Sequence, residues 1–83
     1  MEDILKTLSE LQIKALHKGI GFKLDADFAG DNSISISVDL SYFTDEPISR
    51  RYFLTTTIDD SLSNEDKNTR IQSINDFIST ISR

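Results

Sequence analysis

The sequence predicts an α+β fold: a two-layer sandwich whose elements follow the order α-β-β-β-α. Three observations predict it, namely a helical apolar stripe near each end of the chain and a long stretch between them in which apolar and polar residues alternate. Two helices on one face of a three-stranded antiparallel meander bury all of these apolar sides together. The 83 residues leave room for one domain, 1–83, with one modest core.

The first predicted helix runs from about Asp3 to Lys18. Its apolar residues recur at the three- and four-residue spacing that places them on one side of a helix. These residues are Ile4, Leu5, Leu8, Leu11, Ala15 and Leu16. Gly19 is expected to end the helix, because glycine readily adopts the left-handed backbone conformation found after a last helical turn.

The alternating stretch predicts a hairpin with strands from Ile20 to Phe28 and from about Ile34 to Tyr42. Side chains on a strand point alternately to opposite faces, so each strand has one buried and one exposed face. The residues expected on the buried face are Ile20, Phe22, Leu24, Ala26, Phe28, Ile34, Ile36, Val38, Leu40 and Tyr42.

The pairing register of this hairpin follows from the same pattern. Apolar residues face apolar residues across the two strands if Phe28 lies opposite Ile34, whereas a slip of one residue would set Phe28 against a serine. This register leaves a three-residue loop, 30–32. It also places Lys23 opposite Asp39 on the exposed face and predicts a cross-strand ion pair there.

A polar turn with Pro47 precedes a third strand, expected from about Arg50 to Ile58. Ser63 is the expected N-cap of a second helix that runs to the end of the chain. The buried stripe of this helix is expected to contain Ile71, Ile74, Phe77, Ile78 and Ile81.

The composition narrows the class of protein. The formal net charge is −5 and the pI about 4.6, which disfavours the phosphate neutralisation on which nucleic-acid binding depends. Cysteine is absent, which excludes disulfides and thiolate metal sites and favours a reducing compartment. No apolar run reaches the ~20 residues of a membrane-spanning helix. We therefore expect a cytoplasmic protein that binds neither nucleic acid nor membranes.

Candidate chemical sites in the sequence are incomplete. Asp25 and Asp27 match part of a calcium-loop pattern, but its fifth and twelfth positions, which should supply ligands, are Ala29 and Ile36. His17 is the single histidine, which excludes a multi-histidine metal site, and the sequence indicates no serine and carboxylate that would form a catalytic triad with it. We therefore expect no catalytic activity, no metal, no cofactor and no small-molecule ligand.

The order α-β-β-β-α resembles that of the double-stranded-RNA-binding domain, a similarity of topology and length that no residue motif accompanies. That family has lysines at the start of its second helix that contact phosphates, whereas residues 64–68 here read Asn-Glu-Asp-Lys-Asn. Other basic residues are few: Arg50 and Arg51 are adjacent, and Lys14 and Lys18 are expected on the outer side of the first helix. The resemblance implies RNA binding as a second alternative function.

Two features of the expected sheet are not needed for folding and indicate an interaction surface. The first is a group of aromatic residues on its exposed face. With Tyr42 opposite Tyr52, Phe43 faces Arg51 and Phe53 stands close by. Two exposed phenylalanines and an arginine over an aromatic ring are typical of an interface core. The alternative is that Phe43 turns under the loop that follows and that Phe53 is an isolated exposed aromatic residue.

The second feature is the sheet edge formed by the third strand. From Tyr52 to Ile58 it has no charge, no proline and high β propensity, so a bare edge there would be prone to aggregate. A second copy of the chain, a partner strand or the segment 59–63 folding back would cover it. The residues expected to form an interface are Phe43, Arg51, Tyr52, Phe53, Thr55 and Thr57.

Together these features predict a small non-catalytic protein-interaction module that forms a homodimer or binds a protein partner through its third strand. The alternative is an acidic inhibitor or nucleic-acid mimic of the kind that phages and mobile elements encode, with carboxylates spaced like phosphates. Its candidate residues, expected to scatter over several loops, are Asp25, Asp27, Asp31, Asp45, Glu46, Asp59 and Asp60.

Overall fold

Two helices and three strands follow one another in the predicted order. The structure is a computed structural model and describes residues 2–28, 33–45 and 47–81. Its elements are α1 (Glu2–His17), β1 (Gly21–Phe28), β2 (Ile34–Thr44), β3 (Arg50–Asp59) and α2 (Asn64–Thr80). The α+β class and the α-β-β-β-α order are confirmed. Neither helix is long and apolar enough to cross a membrane, a finding that covers the described ranges.

The three strands form one antiparallel sheet in the order β1-β2-β3. Phe28 lies opposite Ile34, so the register predicted from the apolar pattern is confirmed. β2 and β3 continue to Thr44 and Asp59, slightly further than expected. The predicted loop 30–32 lies outside the described residues.

The ion pair predicted between Lys23 and Asp39 is wrong, although the two residues do lie opposite each other. Lys23 Nζ is instead 3.7 Å from Asp25 Oδ2, on the same face of the same strand. Both side chains are largely exposed, so solvent screens the attraction and the pair contributes little to stability.

Both helices lie on the face of the sheet that carries the even-numbered strand residues. Leu8 and Ala15 from α1 meet Ile74 and Ile78 from α2 and the central strand residues there. The buried core consists of Leu8, Ala15, Ile20, Ile36, Val38, Leu40, Ile58, Ile74, Ile78 and Ile81. The odd-numbered strand residues form the opposite face, here called the open face, which none of the described helices covers.

Some apolar side chains expected in the core are exposed. Leu16 is 73% exposed because the buried side of α1 is centred on Leu8 and Ala15, and one residue further along a helix is about 100° around its axis. Phe28 is 63% exposed and Ala26 is also exposed. The 11 residues of β2 span about 36 Å, against about 24 Å for the 16 residues of α1, so the sheet extends beyond the helices.

α1 ends as the sequence predicts. Gly19 has φ 70°, in the left-handed region. Its N–H donates to the Leu16 carbonyl at 3.1 Å, and the N–H of Ile20 donates to the Ala15 carbonyl at 2.9 Å. This pair of hydrogen bonds is the Schellman arrangement, which satisfies carbonyls that a helix end leaves free. The turn thereby directs the chain from α1 into β1.

The start of α2 agrees with the prediction and its end does not. Ser63 is the N-cap, and its hydroxyl oxygen accepts a hydrogen bond from the N–H of Asp66 at 3.1 Å. The helix ends at Thr80 rather than at the end of the chain, and Ile81 is its C-cap residue.

The prediction that Lys14 and Lys18 lie on the outer side of α1 is wrong, because both side chains contact α2. Lys18 Nζ donates to the carbonyl oxygens of Ile78 and Ile81 at 3.0 and 2.9 Å. Lys14 Nζ lies 3.2 Å from Asn75 Oδ1. Free carbonyl oxygens at the end of a helix attract a cation, so the Lys18 ammonium group stabilises the packing of α1 against α2.

Candidate interaction interface

One end of the open face carries an aromatic patch, defined as Phe43, Arg51 and Phe53. Phe43 lies opposite Arg51, and Phe53 lies opposite Ser41, in the predicted register. Arg51 Cζ is 5.6 Å from the centroid of the Phe43 ring, close enough for a cation–π interaction. The three side chains therefore stand side by side on the hairpin of β2 and β3.

The aromatic patch is exposed. Phe53 is 70% exposed and Phe43 is 51% exposed, so the loop that follows β2 does not bury Phe43. An open concavity of about 470 Å³ adjoins the patch and is lined by Gly19, Gly21, Ser41, Tyr42, Phe43, Arg51 and Phe53. A Cβ at Gly21 would lie 2.6 Å from Ser41 Oγ, so the missing side chain there gives the concavity part of its room.

Tyr52 lies on the opposite face of the sheet from the aromatic patch. Its ring centroid is 6.3 Å from that of Tyr42, with the ring planes tilted by 30°. A groove of about 270 Å³ separates Tyr52 from the last turn of α2, and its lining includes Phe77 and Thr80. Tyr52 is 39% exposed, so β3 presents apolar surface on the helix side of its edge as well.

α2 occupies one point on the β3 edge. Arg70 donates from Nη1 to the carbonyl oxygen of Thr57 at 2.6 Å, so this carbonyl points away from β2. The N–H and C=O of one residue point to the same side of a strand, and the side alternates from residue to residue. Arg51, Phe53 and Thr55 therefore direct their backbone groups outward too. We call these three residues the open edge, because no described side chain bonds to their backbone.

The edge formed by β1 differs from the β3 edge. Gln12 of α1 donates from Nε2 to the carbonyl oxygen of Phe22 at 3.2 Å. Lys23, Asp25 and Asp27 add charge along this strand, as soluble proteins commonly do at sheet edges. In the open edge on β3, no described side chain bonds to the backbone, and Arg51 is the single charged residue.

The sequence reasoning missed Arg70 and Gln12, because no periodicity links a helical side chain to one particular carbonyl on a strand. It also missed a second exposed apolar pair, Ile13 and Leu16, which are 57% and 73% exposed beside the start of β1. Ile13 could have been noticed, since it is an apolar residue outside the helical stripe.

The segment 59–63 folds toward β2 rather than along the open edge. Asp59 Oδ1 accepts hydrogen bonds from the hydroxyl and the N–H of Ser61, the latter at 2.9 Å. The Ser61 hydroxyl bond is the main reason why the pKa of Asp59 lies below its ordinary value of 3.8. Asp60 Oδ2 accepts from the N–H of Ile34 at 2.9 Å. The segment thus caps the start of β2 and leaves the open edge uncovered.

Four of the seven candidate carboxylates lie at the other end of the open face. This acidic end consists of Asp25, Asp27, Asp59 and Asp60. Asp27 and Asp59 lie in one row across the sheet, on either side of Ser35, and a concavity of about 360 Å³ adjoins them. Asp45 lies just after β2, at the opposite end, and candidates Asp31 and Glu46 lie outside the described residues.

Metal-ligating side chains do not converge in the described part of the chain. No group of three or more histidine, cysteine, aspartate and glutamate residues there could hold a metal ion. Asp25 and Asp27, the partial calcium-loop match, are exposed residues within β1 and not part of a loop.

Comparisons with known proteins identify no relative of this chain. No family model matches the chain, and no curated protein or solved structure matches it significantly. The resemblance to the double-stranded-RNA-binding domain remains one of element order.

Proposed function

We propose that this chain is a small, non-catalytic, cytoplasmic interaction module that forms a homodimer through the β3 edge. The observation that supports the proposal is the open edge itself. Arg51, Phe53 and Thr55 direct unpaired backbone donors and acceptors outward, directly beside two exposed phenylalanine rings. A sheet edge of this kind is a template for another strand.

A second copy of the same edge is self-complementary. Antiparallel pairing about a two-fold axis lets each copy donate to and accept from the other. Burying the exposed area of Phe53 adds about 25 cal/mol per Å², while lost rigid-body freedom costs about 4–15 kcal/mol. A short edge with few apolar side chains therefore fits a weak dimer, with a Kd in the micromolar rather than the nanomolar range.

Sedimentation velocity over a concentration series tests the proposal with a pair of proline variants. Thr55→Pro removes an outward N–H from the open edge and leaves the ladder to β2 intact. Ala26→Pro places the same lesion at an outward position on the β1 edge, because the Phe22 carbonyl contacted by Gln12 shows that even residues of β1 face outward. Thr56→Pro is unsuitable, since the Thr56 N–H points toward β2.

We expect the wild type and Ala26→Pro to sediment as dimers at high micromolar concentration and Thr55→Pro to sediment as a monomer. A wild type that remains monomeric at that concentration contradicts the proposal. So does a Thr55→Pro variant that dimerises as well as Ala26→Pro does.

The acidic end favours a second candidate function, an acidic inhibitor or nucleic-acid mimic that occupies a basic groove. Asp59 and Asp60 already accept hydrogen bonds that hold the turn after β3. Asp27 is exposed and is therefore the better contact residue. Titration of a labelled oligoarginine peptide, monitored by fluorescence anisotropy, would show weaker binding by Asp27→Asn than by Glu10→Gln, which removes the same charge from α1. Equal binding by the two variants contradicts this function.

RNA binding, the second alternative, is supported by the α-β-β-β-α order that the chain shares with the double-stranded-RNA-binding domain. Glu65 and Asp66 in the first turn of α2 are exposed and repel phosphates, and Lys14 and Lys18 are engaged with α2. The test is to titrate a labelled RNA duplex with the protein at moderate salt and to measure the fluorescence anisotropy of the RNA. RNA binding predicts an anisotropy that rises and saturates at micromolar protein, and an unchanged anisotropy contradicts this function.

A further inference from the structure

The geometry points to one register for the proposed dimer, and this inference rests on the proposed function. We infer that two β3 strands pair antiparallel about a two-fold axis at Phe53. In this register Phe53 lies opposite Phe53 of the second copy, and Arg51 of each copy lies opposite Thr55 of the other.

Arg70 excludes the registers in which the pairing is shifted toward Thr57. An axis at Leu54 would pair Arg51 with Thr57 of the second copy, and an axis at Thr55 would pair Phe53 with that Thr57. Both arrangements need the Thr57 carbonyl, which already accepts a hydrogen bond from Arg70 at 2.6 Å. With the axis at Phe53, Thr57 falls beyond the paired strands. An axis at Tyr52 would also avoid Thr57, but it would set Thr55 opposite residue 49, which precedes β3. The axis at Phe53 is the midpoint of the open edge and pairs all three of its residues with one another.

The paired backbones then use every group of the open edge. Phe53 exchanges two hydrogen bonds with Phe53 of the second copy. Arg51 and Thr55 of each copy exchange two with Thr55 and Arg51 of the other, for about six bonds in all. Residues in such pairs have Cα atoms about 5.5 Å apart, so the two exposed Phe53 rings come into contact.

The register also merges the two aromatic patches. Phe43 lies beside Arg51 on β2, and Arg51 is the diagonal neighbour of Phe53 of the second copy. The patches of both copies therefore form one continuous surface across the axis. The two Arg51 side chains lie four residues apart, about 13 Å, which exceeds the screening length of about 8 Å at physiological salt.

Repulsion between the acidic ends does not distinguish the two axes. The two Asp59 residues are about 40 Å apart with the axis at Phe53 and about 27 Å apart with the axis at Thr55, and both distances far exceed the screening length. The axis at Thr55 would place Arg51 opposite Asp59, but it requires Arg70 to leave Thr57.

Single cysteine variants test the register, because the chain has no cysteine of its own. Disulfides require Cα atoms less than about 7 Å apart. With the axis at Phe53, Phe53→Cys cross-links to itself on mild oxidation, and a mixture of Arg51→Cys and Thr55→Cys gives the mixed dimer. With the axis at Thr55, Thr55→Cys cross-links to itself. Asp39→Cys, exposed on the central strand of the open face, measures cross-linking by random collision.

The products are identified by intact mass under non-reducing conditions. We expect Phe53→Cys to cross-link at least tenfold faster than Asp39→Cys, and the mixture to give mostly the mixed dimer. Rapid cross-linking of Thr55→Cys with itself overturns this register while the proposed homodimer stands. Cross-linking of Asp39→Cys as fast as Phe53→Cys places the contact on the open face and overturns it too. A monomeric wild type in sedimentation overturns the homodimer and the register together.

Discussion

Arg70 of α2 donates a hydrogen bond from Nη1 to the backbone carbonyl of Thr57 at 2.6 Å, and so closes one end of the β3 edge. A charged side chain over an edge is a common protection against unwanted strand pairing. Here the protection stops at Thr57. No described side chain makes such a contact with the open edge between Arg51 and Thr55, so Arg70 would limit the proposed interface at one end.

Replacing Arg70 should widen the edge that is free to pair. Arg70→Ala leaves the Thr57 carbonyl without its donor, and we expect a loss of about 1–3 kcal/mol in the free energy of unfolding. We also expect stronger self-association and faster cross-linking of Thr55→Cys, because an axis at Thr55 becomes accessible. Urea unfolding and oxidation of the double variant measure these effects. Lys67→Ala, which removes a half-buried charge from the same helix, should change neither the association nor the cross-linking.

The assignment of sheet faces predicts opposite outcomes at two adjacent residues. Val38 is completely buried among core residues, so Val38→Asp places a charge where no partner can compensate it and should unfold the protein. Ser37→Asp changes the open face opposite Asp25 and should cost about 1 kcal/mol or less. Thermal melting followed by circular dichroism compares the two variants. Similar melting of both would mean that the faces are assigned wrongly.

The sequence carried enough information for the element order, the sheet register and both helix starts. Period-two alternation sets the register, because a slip of one residue would expose Ile36 and Val38 and bury serines. The burial of Leu16 and Phe28 was predicted wrongly for a different reason. Whether an apolar residue at the end of an element is covered depends on how far the neighbouring layer extends, and local periodicity contains no information on that length.

The candidate interface was predictable in part. The register alone places Phe43 beside Arg51 and predicts the cation–π pair that the structure shows. The contact between Arg70 and Thr57 depends on the rotation of α2 about its axis and on one long side chain, and neither can be read from spacing. The same reason explains why Lys14 and Lys18 were expected on the wrong side of α1.

The turn after β3 predicts a pH-dependent contribution to stability. The pKa of Asp59 lies below 3.8, mainly because the Ser61 hydroxyl donates to the carboxylate. This stabilisation is present above the unfolded pKa and disappears as the pH falls through the folded pKa. Ser61→Ala should therefore be less stable than the wild type near neutral pH and close to it near pH ~2.

Urea unfolding at both pH values measures the difference between Ser61→Ala and the wild type. Ser73→Ala serves as the control, because its hydroxyl donates to the Thr69 carbonyl, which does not titrate. A pH-independent deficit in Ser61→Ala would mean that its hydroxyl does not act through the charge of Asp59.

Two glycines near the start of β1 should respond differently to alanine. Gly19→Ala forces a side chain into the left-handed region at φ 70° and should cost about 1–2 kcal/mol. In Gly21→Ala the one close contact of the new Cβ is with the Ser41 hydroxyl, which can rotate away, and the Ser41 carbonyl oxygen lies at an ordinary contact distance of 3.4 Å, so we expect a smaller loss. Chemical denaturation gives both values, and an equal loss would contradict the role assigned to the turn after α1.

Amide hydrogen exchange of the wild type, measured by NMR at low and at high protein concentration, tests the central claim most directly. The N–H groups of Arg51, Phe53 and Thr55 point outward, whereas those of Tyr52 and Leu54 bond to β2. We predict that the first three exchange quickly when dilute and become protected at high micromolar concentration, while the latter two stay protected throughout. Fast exchange of the three outward amides at every concentration, or protection that persists on dilution, would contradict pairing of the open edge with a second copy.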